Sequence, residues 1–379
     1  MAHSFPKHAV LIAVLFGVAA TALAQEPSPQ RETDDSVQTF KVDVNVVNVY
    51  FNVKDKHGLL ISSLAKDQFE IYEDGKPQTI KYFSAESNQP LTLGMLIDSS
   101  VSQERVLPIE KEVGAAFLRE VLREKDLAFV IGFDVNVDLL QDFTNDPRDL
   151  RAGLNRARIN GGGGGGGLPG LGGGPIPISN PKGTLLYDAI YLASNEKLAR
   201  EVGRKAMIIL TDGEDFGSRT KVKEAIEIAQ KADTMVYVLL IADRGFYGGF
   251  GYSGDREMKK LCQETGGRVI EVGNKQDKLK QAFDQVAAEL RSQYSIGYTP
   301  TNNKRDGTYR KVEVKAKGGD YRVQARAGYY APSSRDRAGG DSWRRLIRLG
   351  PLVPFRSCCS SRASSPARRL RAIVRPYRD

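Results

Sequence analysis

Residues 91–102 read LTLGMLIDSSVS: an apolar run from Leu91 to Ile97, then Asp98, Ser100 and Ser102 at alternate positions. An unbroken apolar run of this length suits a strand buried on both faces. One carboxylate and two hydroxyls spaced two apart at its carboxyl end are hard oxygen ligands suited to a small divalent cation such as Mg²⁺. Asp and Ser are also favoured at helix N-termini, so from this stretch alone capping of the next helix is an equal alternative.

Two later segments separate the readings. In KGTLLYDAI, Thr184 follows Gly183 and precedes a helical pattern, which puts its hydroxyl in a loop beside the sheet edge. Ala206 to Leu210 is a second apolar run, and Thr211-Asp212-Gly213 follows it, so Asp212 also ends a buried strand. In a doubly wound sheet the carboxyl ends of neighbouring strands line one crevice, the usual place for a ligand, and Asp98 and Asp212 are expected to meet there.

Around these segments, strands alternate with helices over residues 90–290, the mark of an α/β domain with a doubly wound, mostly parallel sheet. Ile109, Val113, Phe117 and Val121 mark one face of the first helix. Leu127 to Phe133 and Val137 to Phe143 are strands that turn through Asp134 to Asn136, and Met235 to Ile241 is a further central strand. Arg268 to Val272 gives another strand, and Leu279, Phe283, Val286 and Leu290 close the unit with an amphipathic helix. Residues 160–180 contain eleven glycines without the Gly-Lys-Ser/Thr ending of a phosphate loop, and are expected to be a disordered insertion. RGFYGGFGYSG at 244–254 reads as a mobile loop at the same sheet edge as Asp98.

The flanks are β-rich. Over 38–89, Phe40, Val42, Val44 and Val46 alternate with polar residues, and Val47, Val49, Phe51 and Val53 continue on the other parity. Phe69 and Ile71, the turn Asp74-Gly75, then Ile80 and Tyr82 predict a hairpin. Residues 291–332 return to strands at Tyr294 to Tyr298, Tyr309 to Lys315 and Tyr321 to Ala327, which are candidates to complete a smaller accessory domain with 38–89.

Residues 1–24 have the form of a secretory signal: Lys7, the apolar run Ala9 to Ala20, and the small-residue site Ala22-Leu23-Ala24. The apolar run is short of the ~20 residues that span a bilayer, so export to the periplasm, the outer surface or the medium is expected, with an uncleaved anchor as the alternative. Residues 25–37 are a polar spacer.

The net charge of +9 suggests a nucleic-acid or membrane binder until its distribution is examined. Residues 333–379 contain 12 Arg and 3 Asp with no Lys or Glu, which accounts for all of it and leaves the body balanced. A tail of Arg, Ser, Pro and Ala after a body rich in Lys and Glu fits a shifted reading frame or disorder better than an anionic-surface role. No nucleic-acid partner is expected. Cys262 stands alone in the body, in a helical pattern that suits a buried thiol, while Cys358 and Cys359 are adjacent and poorly placed to pair. After loss of the signal only His57 remains, so the sequence offers little for Ser-His-Asp or Cys-His catalysis or for a zinc cluster, and no enzyme is expected.

DSSVS, GTLLYDAI and ILTDGED, in this order and spacing, resemble the metal-ion-dependent adhesion site of von Willebrand factor A domains, over about residues 90–290. The resemblance implies a ligand set of Asp98, Ser100, Ser102, Thr184 and Asp212, with Ser99 where many members have Gly. The flanks, DQFEIYEDGKPQTIKYF before the domain and QYSIGYTP through RAGYYAP after it, are similar to exported bacterial proteins, common in acidobacteria, that are described only as related to this A domain. Those proteins usually end soon after a GYYAP-like segment, which reinforces the reading of the tail.

Mg²⁺, or another divalent cation such as Mn²⁺ or Ca²⁺, needs about six oxygens, so five side chains leave a position for an Asp or Glu carboxylate from a protein partner. Hydroxyls in place of further carboxylates keep the ion electrophilic. Glu214 and Asp215 read as solvated loop acids, with orientation of metal-bound waters as the alternative. The expected function is cation-dependent protein binding of the adhesion type. The alternatives are an envelope scaffold whose metal is structural only, and metal-assisted hydrolysis, for which no general base or second metal is evident. The oligomeric state is not legible.

Overall fold

In the computed structural model, residues 46–85, 89–159, 183–241 and 254–333 are described. They begin with four strands, β1 (Val47–Lys54), β2 (Phe69–Glu73), β3 (Lys76–Gln78) and β4 (Ile80–Ser84). The pattern then alternates through β5 (Leu91–Asp98), α1 (Leu107–Val121), β6 (Leu127–Phe133), β7 (Val137–Thr144), α2 (Pro147–Arg156) and α3 (Leu186–Leu192). It continues through β8 (Arg204–Thr211), α4 (Val222–Lys231), β9 (Thr234–Leu240), α5 (Gly254–Thr265), β10 (Val269–Glu271) and α6 (Gln276–Arg291). Four strands follow, β11 (Tyr294–Tyr298), β12 (Tyr309–Ala316), β13 (Arg322–Ala325) and β14 (Gly328–Tyr330).

The apolar run 91–97 becomes a central strand. The six-stranded sheet has the order β10-β9-β8-β5-β6-β7, parallel throughout except for the β6–β7 hairpin, which turns through Asp134 to Asn136 as expected. Every residue of β5 and β9 is buried, because helices cover both faces. Leu93, Met95 and Ile97 point to the side of α1, α2 and α6, where Phe117 and Phe283 stack at 4.5 Å. Leu96 points to the side of α3, α4 and α5 with Phe129, Met207 and Cys262. Gly94 lies on that second face because Phe129 occupies the space: a Cβ there would stand 2.6 Å from its ring. Each fully buried Leu, Ile or Met in these layers contributes ~1.5–3 kcal/mol relative to exposure.

The flanking strands form two four-stranded sheets, β13-β1-β11-β4 and β14-β12-β2-β3. They share one core of Val49, Phe51, Phe69, Ile71, Tyr294 and Val314, among others. Phe51 stacks on Tyr294 at 5.4 Å and meets Phe69 edge-on at 5.2 Å. Strands from both sides of the α/β segment are therefore neighbours: β1 pairs with β11 and β13, and β2 with β12. One expectation is corrected. The turn Asp74-Gly75, with both residues at positive φ, connects β2 only to the short β3, whereas Ile80 and Tyr82 lie on β4, which pairs with β11 in the other sheet.

No helix among the described residues is long and apolar enough to cross a membrane. The readings of residues 1–24 and 25–37, of the strand at Phe40 to Val44, of the glycine-rich 160–180, of 244–253 and of the tail beyond Ser333 lie outside the described residues.

Candidate metal centre

Parallel pairing sets the centre. Ile97 is in register with Leu210, so Asp98 and Thr211 end adjacent strands and Asp212 stands one residue beyond. The Thr211 hydroxyl donates to Asp98 Oδ2 at 2.7 Å and accepts from the Gly213 N–H at 3.0 Å. The Ser100 N–H donates to Asp98 Oδ1 at 2.9 Å, and the Glu214 N–H to Asp212 Oδ1 at 3.1 Å. Both carboxylates are out of solvent, Asp98 at 0% and Asp212 at 2% exposure. The Ser100 and Ser102 hydroxyls are 2.9 Å apart. Neither serine caps the next helix: the N-cap of α1 is Val106, and Ser100 precedes a single 3₁₀ turn, Val101–Gln103, without a side-chain capping bond. The capping alternative is thereby set aside.

Thr184 is fastened to the same rim. It exchanges two backbone hydrogen bonds of 2.9 Å with Phe216 in the loop after β8, and the Leu185 N–H donates to Asp134 O at 2.8 Å in the β6–β7 turn. The Ser99 hydroxyl donates to Asp134 Oδ2 at 3.3 Å, which ties the β5 end to that turn. All five residues of the expected ligand set therefore stand at the carboxyl edge of the sheet, on three loops bonded to one another.

The electrostatics of the rim are set by buried acids. Burial, and then the charge of Asp212, push the Asp98 carboxyl up to about 7, against opposing hydrogen bonds from Ser100 and Thr211. Glu110, in the first turn of α1, is also fully buried and held well above the ordinary range, first by burial and then by Asp98 and Asp212. Neither of its carboxyl oxygens has a hydrogen-bond partner. Among the described residues no cationic side chain is ion-paired with Asp98 or Glu110, whereas burying carboxylates unpaired is costly. No group of three or more His, Cys, Asp or Glu gathers as a metal cluster among the described residues, so hydroxyls must complete any donor set here. Two carboxylates and three hydroxyls, all oxygen, fit a hard divalent ion.

Several residues of the centre escaped the sequence reading. Thr211 was passed over as the end of a strand. Glu110 sits where the helical period of Leu107, Val113, Phe117 and Val121 calls for an apolar residue, and that misfit is the signal that would have found it. Glu214 and Asp215 are half-buried rather than freely solvated, and both are hydrogen-bonded. Glu214 accepts from the Gly254 N–H at 3.2 Å, and Asp215 accepts from the Tyr187 N–H at 3.1 Å and the Ser218 hydroxyl at 2.6 Å. They brace the loop that carries Asp212. Two apolar side chains flank the ligands in solvent, Val101 between the serines at 48% exposure and Phe216 opposite Thr184 at 66%.

No family model matches the chain, and no curated protein matches it. Solved structures do. One is the conserved hypothetical protein BatB from Bacteroides thetaiotaomicron, with 21% identity over 53% of this chain and 100% of that one, at a TM-score of 0.36. A second is proximal thread matrix protein 1 from the mussel byssus, described with a zinc-occupied MIDAS motif, with 14% identity over 58% of this chain, at a TM-score of 0.42. The chain spans 50% of that protein's length. A third is a von Willebrand factor type A protein from Catenulispora acidiphila, with 12% identity over 79% of this chain and 76% of that one, at a TM-score of 0.40. The strand order and the three segments at its carboxyl rim are features of this chain itself, and they make the segment from β5 to α6 a doubly wound, mostly parallel α/β unit.

Proposed function

We propose that the chain is an exported, divalent-cation-dependent protein-binding module. Asp98, Ser100, Ser102, Thr184 and Asp212 hold Mg²⁺ or a similar ion directly or through water, and an Asp or Glu carboxylate of a partner protein completes its coordination. The observation that carries this reading is the pair of buried carboxylates Asp98 and Asp212 at the ends of adjacent strands, with the Ser100–Ser102 hydroxyl pair on the same loop as Asp98. When bound, the cation supplies an electrophilic position for a carboxylate. The chain's own residues do the rest. Thr211 and the Ser100 N–H orient the Asp98 carboxylate, while Glu214 and Asp215 fix the Asp212 loop. Exposed Val101 and Phe216 offer apolar contact beside the ion.

Recognition rather than turnover is the reading that the described histidine and cysteine support, since neither stands at the rim as a base or nucleophile. His57 is exposed in a turn closed by Asp55, and Cys262 is a fully buried thiol whose ionisation burial opposes. The test is affinity capture from an envelope extract on the immobilised protein, with Mg²⁺ and with EDTA. Partners retained with Mg²⁺, released by EDTA and lost with Asp212→Ala are expected. Partners that persist through both changes would make the metal structural only and overturn the proposal.

A further inference from the structure

At the opposite end of the six-stranded sheet the first residues of β5, β8 and β9 face the β-sandwich across a recess. It is open to solvent on one side and lined by Tyr50, Leu91, Arg204, Lys205, Asp233 and Arg326, among others. Three cations and a single carboxylate line it. Asp233 is already committed to Arg326 Nη1, and Arg326 Nη2 donates to Asn48 O at 2.6 Å. The buried Arg326 Nε has no acceptor.

The Arg204 guanidinium is fixed by uncharged groups alone. It donates to Gln89 O from Nε and Nη2 at 3.1 Å each, and to Leu290 O from Nη1 at 2.6 Å. Gln89 lies on the connector that leads into the α/β segment and Leu290 near the end of α6, so Arg204 holds both crossings; no carboxylate bonds it directly, and Asp126 is the acid whose charge acts on it. Lys205 Nζ donates to Glu201 O at 3.2 Å, which leaves two of its three N–H groups over. Burial pulls the Lys205 ammonium below its ordinary range, with Arg326 adding to the pull and the charges of Asp233 and Glu201 opposing it. Three cations gathered in a half-buried recess repel one another, and an orphaned donor such as Arg326 Nε calls for an unseen water or ion.

We propose that this recess binds a small oxyanion of the phosphate or carboxylate class, held between Arg204 and Lys205 of the α/β sheet and Arg326 of the sandwich. Because the cations come from both layers, the anion ties them together. The site lies at the amino ends of the strands, away from the Asp98 rim, and does not depend on the cation-binding proposal.

The test is thermal unfolding and ³¹P line broadening of the full chain, free of divalent cations, titrated with inorganic phosphate and in a second arm with acetate, against chloride at equal ionic strength. Expected is a saturable rise of about 3 °C at ten times the dissociation constant, lost in Lys205→Met and retained in Lys259→Met, whose ammonium is exposed. Asp98→Ala should leave it intact, which separates this site from the metal centre. Phosphate alone acting marks a multiply charged oxyanion, and both probes acting marks the carboxylate class as well. Where Lys205→Met fails to fold, Lys205→Gln takes its place, and the line broadening of wild-type protein decides. A shift matched by chloride, or one equal in wild type and Lys205→Met, overturns the proposal.

Discussion

At the scale of the residue, Asp98 carries the argument. Its carboxyl stands at about 7 in the cation-free fold, against an ordinary 3.8. Below about pH 4 the group is protonated in both folded and unfolded chains. Between the two values only the folded chain keeps the proton, so stability falls as pH rises through this window, and the loss is complete once pH passes the folded value. The full loss is on the order of 4 kcal/mol. Urea unfolding between pH 4 and 7.5 should show that slope in the cation-free protein and a shallower one for Asp98→Asn, where buried Glu110 still titrates above its ordinary range. Saturating Mn²⁺ should restore the stability lost near neutrality. Glu110 makes a second prediction: Glu110→Leu removes a buried acid with no partner and should stabilise the cation-free protein by ~1–3 kcal/mol at pH 7. Destabilisation would mean that water satisfies the carboxyl. Asp98, Ser100, Ser102 and Asp212 were legible because polar oxygens stand out after an apolar run. Glu110 was not, because a charged residue in a helix reads as solvated until its place on the buried face is counted.

At the scale of the element, the buried strands were the legible part. β5 and β9 have no polar face to disguise them, and their continuous apolar runs fit only the inside of a parallel sheet. The β2–β3–β4 segment was less so. Asp74-Gly75 specifies a tight turn, but nothing local shows that the returning arm ends at Gln78 and that β4 passes to the other sheet. That choice is made by β11, more than two hundred residues later. The start of α5 is held by a contact about forty residues back along the chain, since a Cβ on Gly254 would stand 2.5 Å from Gly213 O in the Asp212 loop. Gly254→Ala should displace that loop and weaken cation binding in calorimetric titration, with the far-ultraviolet dichroism unchanged. An unaltered affinity would show that the loop yields without moving Asp212.

At the scale of the whole molecule, an α/β unit is inserted between the two halves of a β-sandwich, and polar bonds join them. Glu289, near the end of α6, is buried and accepts from Lys54 Nζ on β1 at 2.8 Å, from Arg268 Nε at 2.7 Å and from Gln324 Nε2 on β13 at 3.2 Å. Glu289→Ala strands two cations and should cost about 3–5 kcal/mol in urea unfolding. A loss below about 1 kcal/mol would mean that water replaces the carboxylate. Sequence pattern alone left the pairing of the flanks open, because strands some two hundred residues apart share no local signal. The central claim remains the shared cation, and isothermal titration with Mg²⁺ and Mn²⁺ tests it most directly, on wild type, Asp98→Ala, Asp212→Ala and Thr184→Ala. One site per chain is predicted, abolished by either aspartate change and weakened by the threonine change. Binding that survives the loss of both aspartates, or no binding to wild type at millimolar cation, would contradict it.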